Sequence, residues 1–121
     1  MKLVIEAPQT MLKESTKEYI EKRAAFAFSR LEPMLRAVCI EVHELSFAVN
    51  GKDKECKVRV QRDGESEIIM VERQASLRVA VDRALFRASY HLQRRIKRQQ
   101  QLQEKSRVYQ FPIKKPGGDA A

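Results

Sequence analysis

The chain has 121 residues, 43% of them hydrophobic and 33% charged. That is one domain on the usual scale of about 100–200 residues, with enough apolar content for a core and too much for a disordered chain. No apolar run approaches the roughly 18 residues that cross a bilayer, and MKLVIEAP reaches an acid at Glu6 without a signal-peptide apolar region, so a cytoplasmic protein is expected. The net charge of +8 is uneven: residues 1–72 hold 12 Lys+Arg against 13 Asp+Glu, whereas residues 73–115 hold 12 against only Asp82 and Glu104. The C-terminal third therefore carries a field suited to a polyanion, nucleic acid ahead of an anionic membrane surface.

Lys2 to Glu6 is short, apolar and β-branched and stops before Pro8, which reads as a first strand. A helix follows. Glu14, Ser15 and Thr16 are cap candidates, with Glu18 as capping-box partner of Ser15, and Thr16, Ile20, Ala24, Ala27, Phe28 and Leu31 recur at helical spacing. Pro33 disfavours helix at Glu32, so the helix is expected to end there. From Val38 the period changes to two, with Val38, Ile40 and Val42 on one face and Cys39, Glu41 and His43 on the other. Leu45 and Phe47 fall on the wrong parity to continue that stripe, which predicts a bulge or bend near Glu44. Asn50-Gly51 signals a hairpin into a strand with Cys56, Val58 and Val60 on its apolar face, and Asp63-Gly64 a second hairpin into Glu67 to Glu72.

Ser76 can cap a longer helix in which Leu77, Val81, Ala84, Leu85, Ala88, Leu92 and Ile96 form an apolar stripe. Beyond the QQQ run, residues 106–121 lose periodicity and contain Pro112, Pro116, Gly117 and Gly118. The expected organisation is a domain over 1–105 and a flexible basic tail over 106–121. The order β-α-β-β-β-α, with hairpin-linked strands and two stripes to bury, predicts an α+β two-layer sandwich, a four-stranded sheet with both helices on one face.

Catalytic signatures are absent from the sequence: no glycine-rich phosphate loop, HExxH, CxxC or GxSxG occurs. Cys39 and Cys56 lack metal-site spacing and read as free thiols, Cys56 in the core. His43 and His91 are tied to no nucleophile, and the acidic turn from Asp63 to Glu67 lacks the spacing of a calcium loop and reads as solvated. No enzyme activity, metal, cofactor or small-molecule substrate is expected. What the sequence does offer is a stripe. At about 100° per residue, Arg83, Arg87, Tyr90, Arg94, Lys97 and Arg98 gather opposite the apolar side of the second helix. A solvated face usually mixes signs so that i,i+4 pairs form, whereas this one repeats like charges, which calls for an anionic partner. Tyr90 is placed to stack on a base or to pack against neighbouring arginine stems.

The element order and the second helix, V-A-V-D-R-A-L-F-R-A-S-Y-H-L-Q-R-R from Val79 to Arg95, resemble the ribosome hibernation-promoting factor and ribosome-associated inhibitor family, whose helix has the form A-A-I-D-x-A-V-D-K-L-x-x-Q-L-x-K. In the first helix, T-K-E-Y-I-E-K-R from Thr16 to Arg23 is similar to the family's x-x-E-Y-V-E-K-K. The likeness runs over residues 1 to about 100. It departs where the family has E-D-x-Y and this chain has Ala75, Ser76, Leu77 and Arg78, and these 121 residues hold no counterpart of the dimer-promoting domain of the family's long members. The resemblance implies a short-form hibernation factor that binds the small ribosomal subunit and its rRNA in the decoding region and silences translation by occluding mRNA and tRNA. The expected RNA contacts are Arg83, Arg87, Tyr90, Arg94, Lys97 and Arg98, assisted by Lys17, Lys22, Arg23 and Arg30, with no membrane partner. Two other readings remain open from the residues alone: a general double-stranded RNA-binding domain, and a protein-interaction module whose basic helix docks an acidic partner.

Overall fold

The computed structural model describes the backbone of residues 1–8 and 12–114 and side chains as far as Glu104. The elements are β1 (Lys2–Glu6), α1 (Glu14–Ala27), a 3-10 turn (Glu32–Met34), β2 (Ala37–Val49), β3 (Lys52–Gln61), β4 (Ile68–Gln74) and α2 (Leu77–Lys114). They form two compact units, Met1–His91 and Leu92–Ala121; the described part of the second is α2 alone. Among the described residues, no helix is long and apolar enough to cross a membrane.

The sheet has the order β1-β2-β3-β4. A strand that returns through a helix lands parallel to its neighbour, whereas tight loops force antiparallel pairing. Accordingly β1 pairs in parallel with β2, Leu3 beside Val38, while β2–β3 and β3–β4 are antiparallel. Asn50 and Gly51 join Val49 to its partner Lys52 with both φ values positive, 57° and 75°, the two-residue turn whose twist matches the strands. The predicted irregularity after Glu44 is present: the register shifts between Glu44 and Val49.

Burial follows one parity of the sheet. Val38, Ile40 and Val42 of β2, Cys56, Val58 and Val60 of β3 and Ile68 of β4 are buried, together with Ile20, Ala24 and Phe28 and with Val81, Ala84, Leu85 and Ala88. Both helices thus cover one face of a mixed sheet, as the two stripes require. Phe28 is fully enclosed, a burial that contributes roughly 1.5–3 kcal/mol. Ala80 and Ser89 are also buried, whereas Leu77 and Ile96 at the ends of the predicted stripe are half-exposed. The methyl-sized Ala80, Ala84 and Ala88 let the backbone of α2 approach its neighbours closely.

Three boundaries differ from the sequence reading. α1 starts at Glu14, with Lys13 as N-cap in an extended conformation and no side-chain cap; Ser15 and Thr16 lie inside the first turn, where the Glu14 carboxylate meets the positive end of the helix dipole. It ends at Ala27, five residues before Glu32, because the chain tightens into three-residue turns, Ser29 N–H to Phe26 O and Leu31 N–H to Phe28 O. The Ser29 hydroxyl also donates to the carbonyl of Phe26, 3.2 Å away, and Pro33 enters the short 3-10 turn at its start. Ser76 does cap α2, its Oγ accepting from Val79 N–H at 3.4 Å. The third difference is at the far end. The backbone of α2 continues without a break across the expected 105/106 boundary to Lys114, since Gln, Leu, Glu, Lys and Arg are good helix formers and no proline intervenes before Pro112. Residues 115–121, the remainder of the expected tail, lie outside the described residues.

Candidate nucleic-acid interface

Asp82, on the first turns of α2, organises the junction of the two helices in the first unit. Its carboxylate accepts the Tyr19 hydroxyl, at 2.8 and 2.7 Å to its two oxygens, and the Arg23 Nε–H at 2.9 Å. The Arg78 guanidinium lies 4.4 Å from the centre of the Tyr19 ring, within cation–π range. Arg78 stands where the resemblance would place a tyrosine, and it closes the junction from the α2 side by stacking. Burial, followed by the bond to Asp82, raises the Tyr19 pKa above its ordinary value against the opposing charges of Arg23 and Arg78.

Arg83, Arg87 and Tyr90 are exposed, as predicted, and so are Arg94, Lys97 and Arg98 in the second unit. Arg87, however, is not a free cation. It donates to the backbone carbonyl of Val71 at 3.2 Å and pairs with Glu72, both on β4. Glu72 faces the helices because it sits opposite Cys56, so a long arginine stem on the flank of α2 can reach it. Burial pushes the Glu72 carboxyl up, but hydrogen bonds from Arg87 and Gln74 and the charges of Arg87 and Arg83 outweigh it and leave the pKa lowered. The like charges repeated along this face therefore meet one counter-charge within the fold: the acid that balances Arg87 comes from the sheet, and a helical wheel does not display it.

The α1 contributors do not share a face. Arg23 turns to α2 and is neutralised by Asp82. Lys17 lies about 120° around the helix from Arg23, Lys22 is exposed near the top of the helix, and Arg30 falls in the turn after Ala27, outside α1. Sequence reasoning missed Phe86, which is 70% exposed between Arg83 and Arg87 and stacks on Tyr90 with ring centroids 6.2 Å apart and planes 12° from parallel. The missed signal was an aromatic residue off the apolar stripe. Tyr90 meets the His91 ring edge-on. Arg23, Asp82, Arg83, Phe86 and Arg87 line an open cleft of about 510 Å³.

Away from this face, parallel pairing of β1 with β2 brings Glu6 beside Cys39 and Glu41, with ligand atoms within 4.8 Å of one another. The Cys39 thiol donates to Glu6 at 3.6 Å, and its pKa is raised by burial and by that bond, while Glu41 is paired with Arg59 at 3.6 Å. The group therefore presents a protonated thiol and a carboxylate already balanced by a cation.

A two-layer sandwich in which a parallel β-α-β unit leads into two hairpins and a long basic helix is a fold that this chain shares with solved structures of low sequence identity. Among solved structures, a ribosomal subunit interface protein from Coxiella burnetii superposes with a TM-score of 0.63 at 16% identity, over 80% of this chain and 99% of that one. The N-terminal domain of Protein Y from Thermus thermophilus superposes with a TM-score of 0.58 at 18% identity, over 78% of this chain and 98% of that one. No protein-family model and no curated protein matches the chain.

Proposed function

We propose that this protein is a non-enzymatic, cytoplasmic ribosome hibernation factor that binds the small ribosomal subunit in the decoding region and silences translation by excluding mRNA and tRNA. The observation that carries the proposal is the coincidence of fold and charge. The superposition spans 99% of a ribosomal subunit interface protein, and exposed cations line the second helix of that same fold, Arg83 and Arg87 in the first unit and Arg94, Lys97 and Arg98 in the second. Phosphate contacts from these side chains supply affinity without sequence readout, and the shape of the folded rRNA supplies location. Lys17, Lys22 and Arg30 add charge that reaches other backbone segments. Arg23 adds less, because Asp82 neutralises it.

Sedimentation with purified ribosomal subunits through sucrose gradients tests the proposal. The protein is expected to travel with the small subunit at low salt and to be released steeply as salt rises, because each neutralised phosphate returns condensed counterion to solution. Absence from the small-subunit peak at low salt, or equal binding to any isolated RNA duplex, would refute it; the second result would favour a general double-stranded RNA-binding domain.

A further inference from the structure

The cleft beside Phe86 holds two kinds of surface that a simple phosphate-binding helix does not need. Phe86 is 70% exposed and Tyr90 49% exposed, yet both rise from the charged side of α2. Their rings lie nearly parallel, so each limits the other's rotation and the pair presents an ordered π surface. Three arginines and Asp82 line the cleft with Phe86, and with Glu72 paired to Arg87 the balance is three cations against two acids, a net of +1. Two of those arginines are held fast, Arg23 by Asp82 and Arg87 by Glu72 and the Val71 carbonyl. Asp82 is in turn occupied by Tyr19 and Arg23. Arg83 makes no hydrogen bond or ion pair among the described residues and meets Glu72 only through its charge. The open cleft thus brings together two arginines held in place by acids, an exposed aromatic ring and one arginine available to a ligand.

We propose that Phe86, ordered by Tyr90, is a stacking platform for an unpaired nucleobase of RNA, with Arg83 on the adjoining phosphate. This rests on the RNA-binding reading above and narrows it: the first unit takes a nucleotide whose face is exposed, at a loop, bulge or single strand, because bases inside a duplex are already stacked on both sides. Stacking on an aromatic face is tolerant of base identity, so the platform selects unpaired RNA without selecting sequence. Arg23 and Arg87, each paired with an acid, are already ordered before binding, and Arg83 carries the unbalanced positive charge of the cleft.

The test uses the full chain and a short unstructured oligoribonucleotide carrying 2-aminopurine, alone and annealed into a duplex. Binding of the single strand is expected to quench the 2-aminopurine emission. Phe86→Leu, which keeps an apolar side chain and removes the π face, is expected to abolish the quench and weaken single-strand binding by about 5- to 150-fold, the range for loss of one stacked base. Arg83→Ala should weaken binding while leaving the quench at saturation. Circular dichroism of both variants checks that the fold is retained. Single-strand binding and quenching by Phe86→Leu equal to wild type would overturn the platform while leaving salt-dependent ribosome binding, and the hibernation reading, intact. Loss of ribosome binding in Phe86→Leu with no quench by wild-type protein would also overturn it, assigning Phe86 to a protein contact. A quench that depends on Phe86 in a protein that fails to sediment with ribosomes would sustain the platform and remove the hibernation reading.

Discussion

Removal of the Asp82 carboxylate separates two roles that the structure assigns to one residue. Asp82→Ala deletes the acceptor of the Tyr19 hydroxyl and of Arg23, bonds of 2.7–2.9 Å. A hydrogen bond to a charged acceptor is worth roughly 1.5–3 kcal/mol when enclosed. Here the Asp82 side chain is 35% exposed and Arg23 46%, which places the ion pair among exposed pairs of about 0.2–1 kcal/mol and the Tyr19 bond at the lower end of its range. The sum is about 2 kcal/mol. For a chain of this size, between the reference cases, that corresponds to a fall in melting temperature of roughly 5–10 °C. Tyr19→Phe should cost about 1.5 kcal/mol, most of it shared with Asp82→Ala, because both remove the same bond. RNA affinity should move the other way: loss of a negative charge beside the Arg83 cleft strengthens binding at low salt. The assays are thermal unfolding followed by circular dichroism for the two single variants and the double variant, and titration of labelled RNA. A melting temperature of Asp82→Ala within a degree of wild type, or fully additive costs for the two variants, would refute the bridge between α1 and α2. The raised Tyr19 pKa adds a pH signature. A phenol whose folded pKa lies above its unfolded value contributes stability that is complete below about pH 10 and lost as pH rises through the folded value. The wild-type protein should therefore lose more stability than Tyr19→Phe in that alkaline window.

Three further outcomes follow from the structure. Arg87→Ala should destabilise the protein by about 1 kcal/mol through loss of its bonds to Glu72 and Val71, whereas Arg83→Ala should stay within about 0.5 kcal/mol; equal melting temperatures for the two variants would contradict the assignment. Glu72 carries a lowered pKa, so its contribution is present above its unfolded pKa and is lost as pH falls through the lower folded value; the stability difference between wild type and Glu72→Gln, measured by denaturant melts across acid pH, should shrink in that window. Cys56 is fully buried, and burial followed by the charges of Glu55 and Glu72 pushes its thiol up to about 12. A thiol-specific reagent at neutral pH should therefore leave Cys56 unmodified in the native protein and label it in denaturant, and rapid native labelling at Cys56 would show that β3 opens locally.

The alternation Val38, Ile40, Val42 and Cys56, Val58, Val60 and the stripe from Val81 to Leu92 made the two layers legible, because burial of one face is a periodic property that a linear chain displays. Asn50-Gly51 was equally readable, since the turn chemistry lies in the two residues themselves. The limits of the helices were harder to read. Lys13 caps α1 by backbone conformation alone and Ser29 ends it by taking a free carbonyl, neither of which outweighs Ser15 or Pro33 as a sequence signal. The candidate site was legible as an excess of arginine on α2 and illegible in its pairing. Glu72 reaches Arg87 from another element, Asp82 reaches Tyr19 and Arg23 across 63 and 59 positions, and such contacts exist only once the sheet and helices are assembled. Phe86 was visible to the wheel as an aromatic residue among cations, but its stacking on Tyr90 required the geometry.

The central claim is occupancy of the decoding region, and chemical footprinting of small-subunit rRNA with wild-type protein and Arg83→Ala reads it directly. Protection of decoding-region nucleotides that weakens with salt and with Arg83→Ala, together with loss of bound mRNA and tRNA, is the predicted result. Protection confined to other parts of the subunit, or mRNA and tRNA retained beside a saturating amount of the protein, would contradict it.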